Sequence, residues 1–267
     1  MTDEPRQSDS TACAVWASPD QAELAAACLR RAGLAASCAA SPGRAGPHAL
    51  AEALGCETAE TFRSLVRAGS RCALLLAPAP SDPDSGLHEA GLLRQLRERE
   101  ARVLSVEPTP ASVRDAAALS SSDLDGVVHI GPLLRRSTGG VAALDALETF
   151  GQVRVVALTA LSRPGQGSLA ARLIDAMDWA LAVLGEPETV DACVHGPRSS
   201  AGLTLAPGES LATLTGELTA HLRFATGASA TLTLSDRSGR WFRGVTMHGD
   251  AGVLRVVDSG LEWLDDA

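Results

Sequence analysis

Asp175 and Asp178 are the side chains of this sequence best spaced to share acid–base chemistry. They lie three residues apart in Leu169–Leu184, an apolar-periodic stretch that predicts a helix, so the two carboxylates can be neighbours. A like-charged pair raises the proton affinity of one member, as a general acid or base requires; ordinary surface acids share this spacing. Arg135 and Arg136 read as an anion contact or as a solvated turn. Other chemistries lack their parts. His48, His88, His129, His195, His221 and His248 have no metal-ligand spacing, so no metal is expected. The six cysteines, at 13, 28, 38, 56, 72 and 193, form no CxxC pair and read as structural thiols. Ser120–Ser122 and Ser199–Ser200 lie outside any G-x-S-x-G elbow.

All 23 basic residues are arginine, and lysine, tyrosine and asparagine are absent. A GC-rich coding bias accounts for the general pattern. It also removes Schiff-base lysines, P-loop lysines and Tyr-Lys pairs. The net charge of −9, without a basic cluster, argues against nucleic acid. No apolar run reaches a membrane span, and Met1–Ser10 lacks the basic start and apolar core of a signal peptide, so the expected compartment is the cytoplasm.

These residues must be positioned by two kinds of architecture. After a loose tail over 1–10, strand and helix alternate: strands at Thr11–Ala17, Leu34–Ala40, Arg71–Ala77, Arg102–Val106 and Gly126–Ile130, and helices at Asp20–Ala32, His48–Leu54, Ala59–Ala68, Leu87–Arg99 and Pro110–Leu119. Continuous apolar strands joined by helices predict a parallel sheet covered on both faces. The second part opens with a helix at Val141–Phe150, a strand at Val153–Ala160 and the Leu169–Leu184 helix. Strands then dominate, at Val190–His195, Leu214–Phe224, Ala228–Leu234, Trp241–Met247, Val253–Val257 and Leu261–Leu264. They predict an open antiparallel sheet with one face covered by helix. Leu169, Leu173, Met177 and Leu184 form the helix stripe expected to face it, with Ala171, Asp175, Asp178 and Ala182 opposite. The expected domains are a Rossmann-like α/β domain over 11–131 and an α+β open-sheet domain over 132–267, meeting near Gly131, Pro132, Gly139 and Gly140.

Several stretches, in this order, resemble the Gfo/Idh/MocA oxidoreductase family. They are Leu74–Pro78, Val103–Pro108, Phe150–Arg154, the helix Leu173–Glu186, and Leu222–Ala230 with Thr246–Leu254. The likeness is diffuse but covers nearly the whole chain. It implies a degenerate Rossmann-like domain followed by the family's open sheet. It also implies NAD or NADP chemistry on a sugar-like or cyclitol substrate, if the chain is active.

The motifs that chemistry needs are altered. A dinucleotide site needs glycines after the first strand, so that backbone can approach a pyrophosphate at a helix N-terminus. Here that turn reads Trp16, Ala17, Ser18, Pro19, and the first glycine is Gly33. Asp20 and Glu23 add negative charge where phosphate would sit. Pro78 keeps the proline that closes the family's fourth βα unit. The second strand runs into Ser41 and Pro42, with no acid for the ribose. The family's catalytic lysine falls at Glu107, which by itself reads as a solvated loop residue before Pro108 or as a repurposed acid/base. The family's helix Asp and His fall at Ala171 and Asp175, leaving only Asp178 as expected.

Three functions remain open on these residues. One is a lapsed oxidoreductase with no cofactor and a structural, regulatory or partner-binding role. It would form a homo- or hetero-oligomer through the second sheet, with Leu222, Phe224, Leu232, Trp241 and Phe242 either supplying apolar area or packing under the chain's own helix. Another is an active NAD(P)-dependent oxidoreductase working through Glu107, Asp175 or Asp178. The third is a non-catalytic binder of a small molecule in the cleft, touching Asp175, Asp178 and Arg135.

Overall fold

In the computed structural model the described residues are 12–42, 46–68, 70–77, 89–109, 111–112, 114, 126–196, 211 and 214–265. They divide into two compact units with the break between Gly131 and Pro132; Leu211 belongs with the first.

The first unit is built on a six-stranded parallel sheet. Its strands are β1 (Ala12–Trp16), β2 (Ala35–Ala40), β3 (Glu57–Thr58), β4 (Cys72–Leu75), β5 (Arg102–Ser105) and β6 (Val128–Ile130), in the order β3-β2-β1-β4-β5-β6. Helices α1 (Ala22–Ala32), α2 (Gly46–Leu54), α3 (Phe62–Arg67) and α4 (Glu89–Glu98) connect them. β1 lies centrally, and its side chains alternate between two apolar cores. Ala14 and Trp16 pack with Phe62, Leu75, Leu93 and Val103. Cys13 and Val15 pack with Leu29, Leu50 and Leu74. Trp16 meets Phe62 edge-on, at 5.2 Å between ring centroids. α1 stops at Gly33, whose φ of 68° is the left-handed cap that glycine adopts without strain. The two-residue β3 was not foreseen, because Glu57 and Thr58 are both polar and exposed and leave no apolar signal. Pro78 and most of the expected helix over 110–119 lie outside the described residues; within that span Ala111 and Ser112 are described and are not helical.

The second unit holds α5 (Thr138–Phe150), β7 (Val153–Leu161), α6 (Leu169–Leu184), β8 (Pro187–His195), β9 (Glu217–Phe224), β10 (Ser229–Ser235), β11 (Phe242–Gly249), β12 (Gly252–Val257) and β13 (Gly260–Leu264). The strand order is β13-β12-β11-β7-β10-β9-β8. The sheet is mixed, which corrects the antiparallel expectation: β7 and β10 run parallel. Crossing through α6 returns the chain to the sheet, and two hairpin-like reversals through β8 and β9 then bring β10 alongside β7 in the same direction. α6 packs on β7, β9 and β10, and α5 on β12 and β13.

Strict alternation in β9 points Leu218, Ala220, Leu222 and Phe224 inward, and Leu232 of β10 is likewise fully buried. Leu222, Phe224 and Leu232 therefore belong to the covered face and supply nothing to an outer one; Trp241 and Phe242 are half-buried. The outward face is mainly polar, with His221 hydrogen-bonded to Thr231 at 3.2 Å, and carries Val155 and Val257 exposed.

The start of α5 lies tightly on the β12–β13 hairpin. A side-chain carbon on Gly139 would overlap the Val257 and Gly260 carbonyls, and Gly139 N–H donates to Asp258 O at 3.2 Å. Gly139→Ala is expected to destabilise the protein by about 2 kcal/mol, because overpacking against backbone cannot be relieved by rotating a side chain. Thermal unfolding of the variant checks this.

Candidate functional site

Three places carry the residues singled out by sequence, and each is built by its own local structure.

The turn after β1 comes first. Ser18 N–H donates to Gln21 Oε1 at 2.9 Å, and Gln21 N–H returns to Ser18 O at 2.9 Å. The Gln21 amide nitrogen then reaches across to Leu76 O at 3.0 Å. Ala17 N–H is taken by Ala40 O at 3.2 Å, and Ala22 N–H by Pro19 O. Pro19 has no N–H. The result is a single 3₁₀ turn, Pro19–Gln21, leading into α1, with Gln21 buried beneath it. A pyrophosphate binds by collecting free backbone donors at close range. Here those of Ala17, Ser18, Gln21 and Ala22 are already used by the chain, and Asp20 stands exposed at the mouth. Beyond β2, Ser41 is buried and donates to Pro42 O at 3.3 Å, where an acid would hold ribose. The residues present do not fit a dinucleotide in the usual pose.

Glu107 follows β5. Against the solvated-loop expectation it is buried, at 4% exposure. Ser105 folds the loop back on itself: its Oγ accepts from Glu107 N–H at 3.2 Å and donates to Glu107 O at 2.8 Å, with Thr109 Oγ1 2.9 Å away. This hydroxyl-capped turn carries Glu107 inward.

The third place lies in the second unit, around α6. Ser168 caps the helix, accepting from Ala171 N–H at 3.1 Å. The buried face then carries Arg172, Asp175 and Trp179, while Leu173 and Met177 are only half-buried. The expected stripe is therefore rotated, and Asp175 lies inside. A buried charge needs partners. Asp175 Oδ1 accepts from Leu134 N–H at 2.6 Å, and Oδ2 from the Arg243 guanidinium at 3.0 Å. Arg243, on β11 and also buried, donates further to Pro132 O at 2.6 Å and to Asp258. Asp258 in turn accepts from Trp241 Nε1 at 3.2 Å. The Arg172 and Arg243 guanidinium carbons lie 4.4 and 5.3 Å from the Trp241 ring centroid. Burial pushes the Asp175 carboxyl above its ordinary range, against the opposing pull of Arg243, the Leu134 N–H and Arg172.

Asp178 turns elsewhere, to a two-pronged ion pair with Arg135, both contacts at 2.8 Å. The two carboxylates are thus drawn apart by separate arginines rather than sharing a proton. Arg135 forms this pair instead of a solvated turn, and the nearby Asp178 carboxylate raises its proton affinity. The Arg135–Asp178 pair is part-exposed, so it can meet a solute; Asp175 cannot, because both oxygens already face protein donors. Arg172, Arg243 and Asp258 were not found from sequence. The available signal was an acid in a helix stripe that had to pack, which demands a cation, but 23 arginines leave its identity open. Among the described residues no cluster of His, Cys, Asp or Glu could hold a metal ion.

No family model matches the chain, and no curated protein does. Its likeness is to solved structures. The WlbA dehydrogenase from Chromobacterium violaceum, in complex with NADH and UDP-GlcNAcA, superposes with a TM-score of 0.68 at 14% identity, over 99% of this chain and 80% of that one. GenD2 from gentamicin A biosynthesis, in complex with NAD, gives 0.66 at 18%, over 98% and 83%. A putative myo-inositol dehydrogenase from Sinorhizobium meliloti gives 0.64 at 20%, over 92% and 76%. The chain shares their fold, a Rossmann-like parallel sheet followed by a helix-backed mixed sheet.

Proposed function

We propose that this chain, which has the two-domain fold of the Gfo/Idh/MocA dehydrogenases, is a divergent relative that has lost hydride chemistry and serves a structural, regulatory or partner-binding role. The observation that carries this reading is the self-closed first turn, where the Gln21 side chain takes the Ser18 N–H and backbone carbonyls take those of Ala17, Gln21 and Ala22. The arginine clamp on Asp175 supports it, since a general base must reach its substrate and Asp175 is 3% exposed. A second reading, a small-molecule binder, rests on the part-exposed Arg135–Asp178 pair, which an anion or a polyol could engage. The third, an active NAD(P)-dependent oxidoreductase on a sugar-like or cyclitol substrate, draws only on the structural neighbours, two of which are complexes with NADH or NAD.

The proposed partner is a second copy of the chain or an active relative, met through the outer face of the second sheet. Val155 and Val257 stand exposed on its strands there. Our reading puts the protein in the cytoplasm; among the described residues no helix is long and apolar enough to cross a membrane.

Titration with NADH and NADPH, followed by cofactor fluorescence, tests the proposal. The expected result is no binding at micromolar concentration by a folded protein, with an oligomer mass in native solution, alone or mixed with an active relative. Micromolar binding of either cofactor overturns it.

A further inference from the structure

We propose that Cys13 and Cys72 form a thiol–disulfide exchange site in the first unit, oxidised by a low-molecular-weight disulfide of the glutathione type. The inference does not depend on the function proposed above. The two cysteines are register partners on the adjacent parallel strands β1 and β4. Neighbouring strands run about 4.8 Å apart, which falls inside the Cα separation a disulfide needs. Their sulfurs lie 3.4 Å apart, with the Cys13 thiol donating to Cys72. Closure to a bond of about 2.05 Å brings the two sulfurs together by a little over about 1 Å.

The two thiols are unequal in the way exchange requires. Cys72, at the first residue of β4, is part-exposed, whereas Cys13 is buried. The hydrogen bond from Cys13 holds the Cys72 thiol down to about 7, against its burial, so Cys72 is the attacking group. The same hydrogen bond, followed by burial, pushes the Cys13 thiol up and keeps it protonated until Cys72 has reacted.

The Cys72 thiolate attacks one sulfur of the small disulfide, breaking its S–S bond and releasing one thiolate. A mixed disulfide remains on Cys72. Cys13 then gives its proton to the leaving sulfur and attacks Cys72 Sγ, releasing the second thiol. Two protein thiols are oxidised and one small disulfide is reduced to two thiols. The bond lies at the ends of β1 and β4 away from the Trp16–Pro19 turn. The opposing view is that both cysteines are merely small core side chains.

The test uses the full chain carrying Cys28→Ser and Cys193→Ser, which removes the two exposed cysteines. The protein is incubated with oxidised glutathione, blocked with an alkylating reagent, and digested with trypsin. Without lysine, cleavage falls only at arginine, so Cys13 lies on the peptide Gln7–Arg30 and Cys72 on Cys72–Arg94. The expected product is a link between these two peptides that disappears on reduction. Cys13→Ser should stop the reaction at a glutathionyl adduct on Cys72, and Cys72→Ser should abolish both adduct and link. Circular dichroism and thermal unfolding confirm that each variant is folded. Persistent glutathionylation of Cys72 with Cys13 still free, or cross-linking of Cys38 to Cys56 in place of this pair, overturns the proposal.

Discussion

Arg243→Ala is expected to be among the most damaging single substitutions in the second unit, costing about 3–5 kcal/mol. The figure follows from what the change leaves behind. Arg243 and Asp175 are 5% and 3% exposed, and the arginine also ties Pro132 O and Asp258 into the same cluster. Truncation strands the Asp175 carboxylate with the Leu134 N–H and Arg172 beside it, in a place water does not reach. The loss has a defined pH dependence. Burial already raises the folded-state proton affinity of Asp175, and removing its main counter-charge raises it further. An acid whose folded pKa lies above its unfolded value, about 3.9, favours the folded state below that value, and this contribution is lost as pH rises through the folded pKa. The variant should therefore lose more stability relative to the parent at about pH 8 than at about pH 5. Denaturant unfolding at the two values measures it. Equal losses at both would place the damage in packing alone. A double change, Arg243→Met with Asp175→Leu, should recover only part of the loss: it removes the stranded buried charge but leaves the Leu134 N–H and Pro132 O without their partners.

That cluster also marks where sequence stops being informative. The fold was legible because its signals are local. The helix Leu169–Leu184 has the bounds its apolar periodicity predicts, and the alternation of mainly apolar strands with helices predicts the parallel sheet that is found. The orientation of α6 was not legible. Periodicity counts Asp175 as polar and turns it outward, whereas a charge satisfied by a partner from a distant strand can face inward. Its partner lies 68 residues away, and nothing in the intervening chain indicates the contact. Glu107 fails for a related reason. Proline and an acid spell a loop, whereas the Ser105 and Thr109 hydroxyls, which pair with the loop itself, fold it inward. For Leu222, Phe224 and Leu232 sequence left two faces open, since alternation shows which residues share a face but not which face the helix covers; burial assigns them to the covered one. The altered cofactor turn, by contrast, was visible at once as an absence of glycine. What sequence left out was the positive feature that replaced it, a glutamine folded into the turn.

Gln21→Leu isolates that feature, and it should lower stability by about 3 kcal/mol at nearly unchanged side-chain volume. Two groups lose their partner together: the Ser18 N–H, which donates to Oε1, and the buried Leu76 carbonyl, which accepts from Nε2. Each polar group left unsatisfied in a protein interior costs about 1–3 kcal/mol. The same measurement repeated with cofactor separates the two views of the turn. A dinucleotide that bound the folded state, held at 100 times its dissociation constant, would add about 2.7 kcal/mol. The expected addition is zero for the parent protein, because the donors are already engaged. It is also zero for Gln21→Leu, because Pro19 supplies no N–H, Asp20 repels phosphate, and Ala17 N–H still bonds to Ala40. If NADH stabilised the variant but not the parent, glutamine alone would be keeping a competent cradle closed. If it stabilised both, the turn would open on binding, and the case for lost hydride chemistry would fall with it. Stabilisation of neither leaves a turn whose backbone donors stay engaged within the chain, as the proposed loss of hydride chemistry requires.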